Sequence, residues 1–215
     1  MSEDILFNIL VRTSNRPNYF NDCIESIRTQ TYVNHKIIVS VDNSFSDKYV
    51  KKLNLKPVFI KTHVKKIKFN GYAPYDLYIN ELYKFIDDGY IIILDDDDQF
   101  ENSDALESLS ERINSYNEPK DNLYIYKTKF TKNLTIPRNF SDNKIIYPGN
   151  ITSCCFCFHS KWIFAAQWDE IRESDFRVVN KLNLVTNKTI LIDKVFTKLQ
   201  SPNITGGLGK QVDKI

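Results

Sequence analysis

Ile91-Ile92-Ile93-Leu94-Asp95-Asp96-Asp97-Asp98 decides how this chain is read. Four apolar residues, three of them β-branched, make a strand with no polar face, so both of its sides must be covered. Four carboxylates follow without a spacer. Ligands of open α/β sheets gather at the carboxyl ends of the strands, which makes this end a candidate site. Carboxylates about 5 Å apart repel by only ~0.8 kcal/mol in water, but by several times more where water is excluded. A divalent cation removes that repulsion, and hard oxygen donors suit Mg²⁺ or Mn²⁺. Strand alternation would turn Asp95 and Asp97 one way and Asp96 and Asp98 the other. The competing reading is a solvated acidic turn in which Asp98 or Asn102 helps to start the next helix. Attachment to an apolar strand favours the ligand site over that turn.

On either side of this run, four more have strand character: residues 5–11, 36–41, 57–61 and 123–126. Helical patterns lie between them. Pro17 suits a first helical turn, after which Phe20, Ile24 and Ile27 share a face. Tyr78, Leu82, Phe85 and Ile86 form a second stripe, with Gly89 placed to act as a C-cap. Ser103 and Asp104 open a third helix whose stripe is Leu106, Leu109 and Ile113. A last helix is expected over residues 174–182. Strand–helix alternation predicts an α/β fold with right-handed crossovers. After Asn117 the rhythm changes to short strands and turns, read as a second lobe rather than a second domain. The expected division is a nucleotide-binding lobe over 1–117, an acceptor-side lobe over 118–200 and a mobile Gly-rich tail over 201–215.

Composition narrows the function. The 215 residues suffice for one sizeable core. Lys plus Arg number 29 against 27 acids, and a net charge of +2 argues against a dedicated nucleic-acid binder. No apolar run reaches the ~18 residues of a membrane span, and the acidic start is unlike a signal peptide, so a cytoplasmic protein is expected. Four cysteines give neither a disulfide framework nor zinc spacing. Cys154, Cys155 and Cys157 sit between Ile151 and Phe158, which reads as a buried strand of reduced thiols.

Two further strand ends carry ligand-capable residues. Val39-Ser40-Val41 runs into Asp42, which can accept hydrogen bonds from a nucleoside base or ribose, or open an Asx turn. The first strand ends in Arg12-Thr13-Ser14-Asn15-Arg16-Pro17, a cation and polar side chains ahead of a helix N-terminus, suited to polyphosphate. Farther on, Trp168-Asp169-Glu170 and Glu173-Ser174-Asp175-Phe176 place acids at a helix start. The helix dipole explains part of this, and a pocket-facing carboxylate there can act as a general base. The lysines of residues 61–68 read as a solvated face.

Together these motifs resemble family 2-type glycosyltransferases of the GT-A fold, from about Phe7 to Leu184. The T-x-N-R-P-like turn is matched by Thr13-Ser14-Asn15-Arg16-Pro17 and the V-D-D-G-S-x-D element by Val41-Asp42-Asn43-Ser44-Phe45-Ser46-Asp47, which lacks the second Asp and the Gly. Asn70-Gly71 matches an N-G element, and Tyr78-Ile79-Asn80 stands where A-R-N is usual, without its Arg. Gly89-Tyr90 and Leu94-Asp95-Asp96-Asp97-Asp98 match G-x-Y-I-x-x-L-D-x-D-D, and Trp168-Asp169-Glu170 with Glu173-Ser174-Asp175 matches the late acidic pair.

The resemblance implies a Rossmann-like, mostly parallel central sheet with helices on both faces and a smaller mixed C-terminal lobe. It implies that Thr13, Asn15, Arg16, Asp42 and Asn70 line the sugar donor, with Asp42 on the base. Asp95 and Asp96 would lie near the ribose and the metal, Asp97 would bind Mn²⁺ or Mg²⁺ with Asp95 beside it, and Asp175 would be the base, with Glu173 as the other candidate. The implied partners are a UDP-linked sugar and a glycan or glycoconjugate acceptor. A loop at Gly206–Lys210 closing over the donor is set against a loose tail. A non-catalytic sugar-nucleotide or glycan binder and a nucleotidyltransferase remain as alternatives. The latter expects a Gly-rich first turn that Arg12–Pro17 lacks.

Overall fold

The computed structural model describes residues 4–60, 71–139 and 145–200. Asn70, the lysines of 61–68, the tail over 201–215 and the loop at Gly206–Lys210 lie outside the described residues. The strands are β1 (Phe7–Thr13), β2 (His35–Val41), β3 (Val58–Phe59), β4 (Tyr90–Asp95), β5 (Asp98–Phe100), β6 (Asn122–Thr131), β7 (Leu134–Ile136), β8 (Phe156–His159) and β9 (Lys188–Leu199). The helices are α1 (Pro17–Arg28), α2 (Ser44–Lys52), α3 (Tyr78–Leu82), α4 (Ala105–Asn114) and α5 (Ser174–Val185).

The nine strands of the described residues join one sheet in the order β3-β2-β1-β4-β8-β6-β9-β5, with β7 on β6. Strands β3, β2, β1 and β4 run parallel, β8 reverses, and β6 and β9 resume the first direction. Strands β5 and β7 also run against their neighbours, so the sheet is mostly parallel with three reversed strands among the described residues.

Side-chain alternation divides the core into two layers. Phe7, Ile9 and Val11 of β1 and Tyr90, Ile92 and Leu94 of β4 pack with α1, α2 and α4. Leu10 of β1 and Ile91 and Ile93 of β4 pack on the other face with α3 and α5. This is why the IIIL run has no polar member: each face of β4 meets its own helical layer. The cysteines behave as expected: all four are free and buried, and Cys157 sits in β8 opposite Ile92 and Tyr124.

Four local expectations change. The helix before β4 is a short α3 that tightens into a 3-10 turn over Tyr83–Phe85, which leaves Phe85 exposed. Gly89 is therefore not a helix cap. It takes φ +101° at the entry to β4, where a Cβ would lie 2.5 Å from the Leu6 carbonyl oxygen. That close approach lets the Tyr90 amide donate to Leu6 at 2.8 Å. After Asp42, Asn43 accepts from the Ser46 amide at 2.8 Å and caps α2. Helix α4 starts at Ala105, and its N-cap Asp104 makes no side-chain capping bond.

Candidate active site

The carboxyl ends of β1, β2 and β4 lie side by side because these strands pair in parallel register, with Thr13 opposite Val41 and Arg12 opposite Asp95. Arg12 falls on the α3/α5 face, as alternation from Leu10 requires, and is only 9% exposed. Its guanidinium donates from Nε and Nη2 to the two oxygens of Asp95, each at 2.7 Å. Nη1 donates to Asp76 at 2.8 Å and to the Tyr75 carbonyl at 3.1 Å. Burial favours the neutral form of Asp95, but the charges of Arg12 and Arg16 and the hydrogen bonds from Arg12 and Ser153 hold its carboxyl below the usual range.

Asp96 points the other way. It accepts from Thr13 Oγ1 at 2.7 Å and from Arg16 Nε at 3.1 Å, and it is fully buried. Burial pushes its pKa up to about 8, against the opposing pull of Arg16. Alternation therefore holds for Asp95 and Asp96 and then fails. The chain turns at Asp96-Asp97, and Asp97 lies 3.6 Å from Nη1 of the same Arg16. Asp98 is buried and folds back to accept the Asp95 amide at 3.2 Å, and burial beside Asp97 and Asp95 raises its pKa well above the usual range.

Across β1, Asp42 accepts from Ser14 Oγ at 2.8 Å, Asn43 Nδ2 at 2.7 Å and Tyr78 Oη at 3.3 Å. Asn15 adopts φ 57°, a left-handed conformation that asparagine tolerates, while its amide donates to Ser46 Oγ at 3.0 Å. The structure thus brings Thr13, Asn15, Arg16, Asp42, Asp95, Asp96 and Asp97 to one end of the sheet.

Asp175 stands in the first turn of α5, half-buried, and accepts the Phe176 amide at 2.8 Å. Burial, helped by the charges of Asp76 and Asp95, raises its pKa to about 7, with Arg12 opposing. Glu173 is instead exposed at the N-cap, in the left-handed region at φ 65°. Asp169, the other acid of this stretch, accepts from Arg177 Nε at 2.7 Å and is held below the usual carboxylate range chiefly by that hydrogen bond. Asn80 clamps the backbone of Trp168 from both sides, at 2.9 Å each, which fixes the approach to α5 against α3.

Sequence reasoning quoted Arg12 in the strand-end stretch without giving it a role of its own, and it missed Asp76. A signal existed: a lone arginine ending the apolar run of β1 needs a partner, and Asp95 sits opposite it. Asp76 lies in a 3-10 turn, Pro74–Leu77, that has no periodic signal of its own.

Among the described residues, no three His, Cys, Asp or Glu side chains form a ready-made metal cluster. The donor set still fits Mg²⁺ or Mn²⁺. Such ions are held at phosphoryl sites by one or two carboxylates, with substrate phosphates and water completing the shell. Both Asp95 oxygens are engaged by Arg12, one also accepting from Ser153 at 3.2 Å, and Asp97 lies 3.6 Å from Arg16, so an ion held by Asp97 with Asp95 beside it would share both carboxylates with arginines.

The family model described as glycosyl transferase family 2 matches residues 8–164. No curated protein matches the chain. Among solved structures, residues 1–349 of S. aureus TarS superpose with a TM-score of 0.70 at 19% identity, covering 92% of this chain and 61% of that one. The same TarS fragment in complex with UDP-GlcNAc gives 0.70 at 18% identity, covering 96% and 61%. A mannosyltransferase, PcManGT from Pyrobaculum calidifontis, in complex with GDP-Man and Mn²⁺, gives 0.63 at 11% identity, covering 93% and 58%. This chain thus spans less than two thirds of each. These likenesses carry the fold.

Proposed function

Because the chain belongs to glycosyl transferase family 2, we propose that it is a metal-dependent, inverting glycosyltransferase. It moves a sugar from a nucleotide diphosphate, UDP in our reading, to a hydroxyl of a glycan or glycoconjugate acceptor. The nucleotide-sugars held by TarS and by the mannosyltransferase support the substrate class.

In this reading the cleft at the ends of β1, β2 and β4 takes the sugar donor. Asp42, its carboxylate held by Ser14 and Asn43, accepts from the nucleoside base. Thr13 and Asn15 form the floor of that pocket, and Asp96 faces the ribose side. Asp97, with Asp95 beside it, would hold Mn²⁺ or Mg²⁺. When bound, the ion offsets the charge that develops on the departing diphosphate. Arg16 brings a second positive charge to the same edge. Asp175 takes the proton from the acceptor hydroxyl, whose oxygen attacks the anomeric carbon on the face opposite the departing nucleotide and so inverts it.

The observation that carries this reading is Asp175 itself. It is a half-buried carboxyl at the first turn of α5, its pKa raised to about 7 by burial and by the charges of Asp76 and Asp95, where a general base works near neutrality. Thermal shift against UDP-, GDP- and dTDP-sugars with and without Mn²⁺, followed by turnover of the stabilising donor, tests it. A donor that binds only with Mn²⁺ and is turned over supports the proposal. Binding without turnover against any acceptor would favour a non-catalytic sugar-nucleotide binder, and no binding at all would remove both readings.

A further inference from the structure

Arg12 joins more elements at this end of the sheet than its place in a strand requires. It engages Asp95 through two parallel bonds and reaches Asp76 and the Tyr75 carbonyl with its remaining nitrogen. Its guanidinium carbon lies 5.5 Å from the centroid of Tyr75 and 5.8 Å from that of Trp168, so two rings hold the plane. Trp168 is locked in turn: its indole N–H donates to Tyr83 Oη at 3.0 Å and its backbone is clamped by Asn80. One side chain therefore ties the end of β4, the 3-10 turn over Pro74–Leu77 and the segment leading to α5. That turn runs directly into Tyr78, whose hydroxyl donates to Asp42.

A counter-ion role alone does not call for this arrangement. A buried ion pair gives little net stability compared with an apolar residue of similar volume, and β1 is apolar over the preceding Ile9, Leu10 and Val11. What an arginine adds is a planar fork that fixes a carboxylate in two dimensions, which a lysine cannot do.

Building on the glycosyltransferase reading, we propose that Arg12 is a positioning residue for the sugar donor. It sets the orientation of Asp95 at the metal edge and, through the Tyr75-Asp76 turn, the placement of Tyr78 against Asp42 at the base edge. The two ends of the nucleotide pocket are held in register by this one guanidinium.

The test uses the full chain and UDP with Mn²⁺ as the probe, read by calorimetry, alongside melting temperature. Arg12→Lys keeps the charge and loses the fork; its UDP affinity falls at least tenfold. Arg12→Met leaves Asp76 without its cation and Asp95 with the charge of Arg16 alone, and lowers the melting temperature. Adding Asp76→Asn removes one stranded charge, so the double variant recovers melting temperature while its UDP affinity stays at least tenfold below that of the parent. A positioning role separates the two readouts, whereas a purely structural one moves them together. The proposal is overturned if Arg12→Lys binds UDP as the parent does, or if the double variant recovers affinity along with stability. If Arg12→Met fails to fold, Arg12→Lys alone decides. If the parent binds UDP, GDP and dTDP to no measurable extent with Mn²⁺, the donor reading fails and takes this role with it.

Discussion

Replacing Asp175 with asparagine should remove activity and add stability, and the two effects should share one pH dependence. Asp175 is raised from 3.8 to about 7 by burial and by neighbouring carboxylates. A group whose folded pKa lies above its unfolded value binds more protons in the folded state, so stability falls as pH rises between the two values. The ionised carboxylate therefore costs nothing below about pH 4 and its full amount above about pH 7. At ~1.4 kcal/mol per pKa unit, that amount is at most about 4 kcal/mol. Asparagine keeps an oxygen to accept the Phe176 amide and cannot ionise. Urea denaturation of parent and Asp175→Asn at pH 5 and pH 8.5 should show the variant more stable at pH 8.5, by about 1–4 kcal/mol, with much of that gain absent at pH 5. Transfer by the variant should fall by about 10²–10⁴, the usual worth of a general base. The parent's rate should lose about tenfold per pH unit below its midpoint near 7. A variant that is less stable at pH 8.5, or equally shifted at both pH values, would refute the burial argument. Full transfer by the variant would refute the assignment of the base.

Other outcomes follow from single residues. Asp97→Ala should abolish the Mn²⁺-dependent part of sugar-nucleotide affinity, seen by calorimetry with and without the ion, and leave melting temperature near that of the parent. Gly89→Ala forces a Cβ to within 2.5 Å of the Leu6 carbonyl oxygen at φ +101°, so unfolding free energy should drop by about 1–3 kcal/mol in urea titration. The four free cysteines are buried, and burial raises the thiol pKa of each. A thiol reagent at pH 8 should label none in the native chain and all four in denaturant.

The sheet's parallel half was legible because its strands are apolar on both faces, and IIIL can be nothing but a covered strand. Strand β9 was not foreseen. Its alternation through Ile190 and Ile192 is broken at Asp193-Lys194, where the register with β6 shifts, and the period restarts only at Phe196. Helix α2 was hidden by its composition, since its buried members are only Ser46, Tyr49 and Val50. Within the site, strand ends announce themselves, and every described residue singled out there lies at the same end of the sheet. The partners of those residues did not announce themselves. Asp76 meets Arg12 across 64 positions of sequence, a pairing set by how the 3-10 turn before α3 packs and not by any local pattern. The turn at Asp96-Asp97 likewise cancels the alternation that a plain strand would impose.

The proposed chemistry requires Asp97 to meet a divalent ion against a sugar-nucleotide's diphosphate. Anomalous scattering from crystals grown with Mn²⁺ and UDP measures this directly. A manganese peak is expected within coordination distance of an Asp97 carboxylate oxygen and of the diphosphate, with Asp95 still forked to Arg12. A peak bound elsewhere, or a diphosphate seated in the cleft with Asp97 turned away from it and no ion between them, would contradict it.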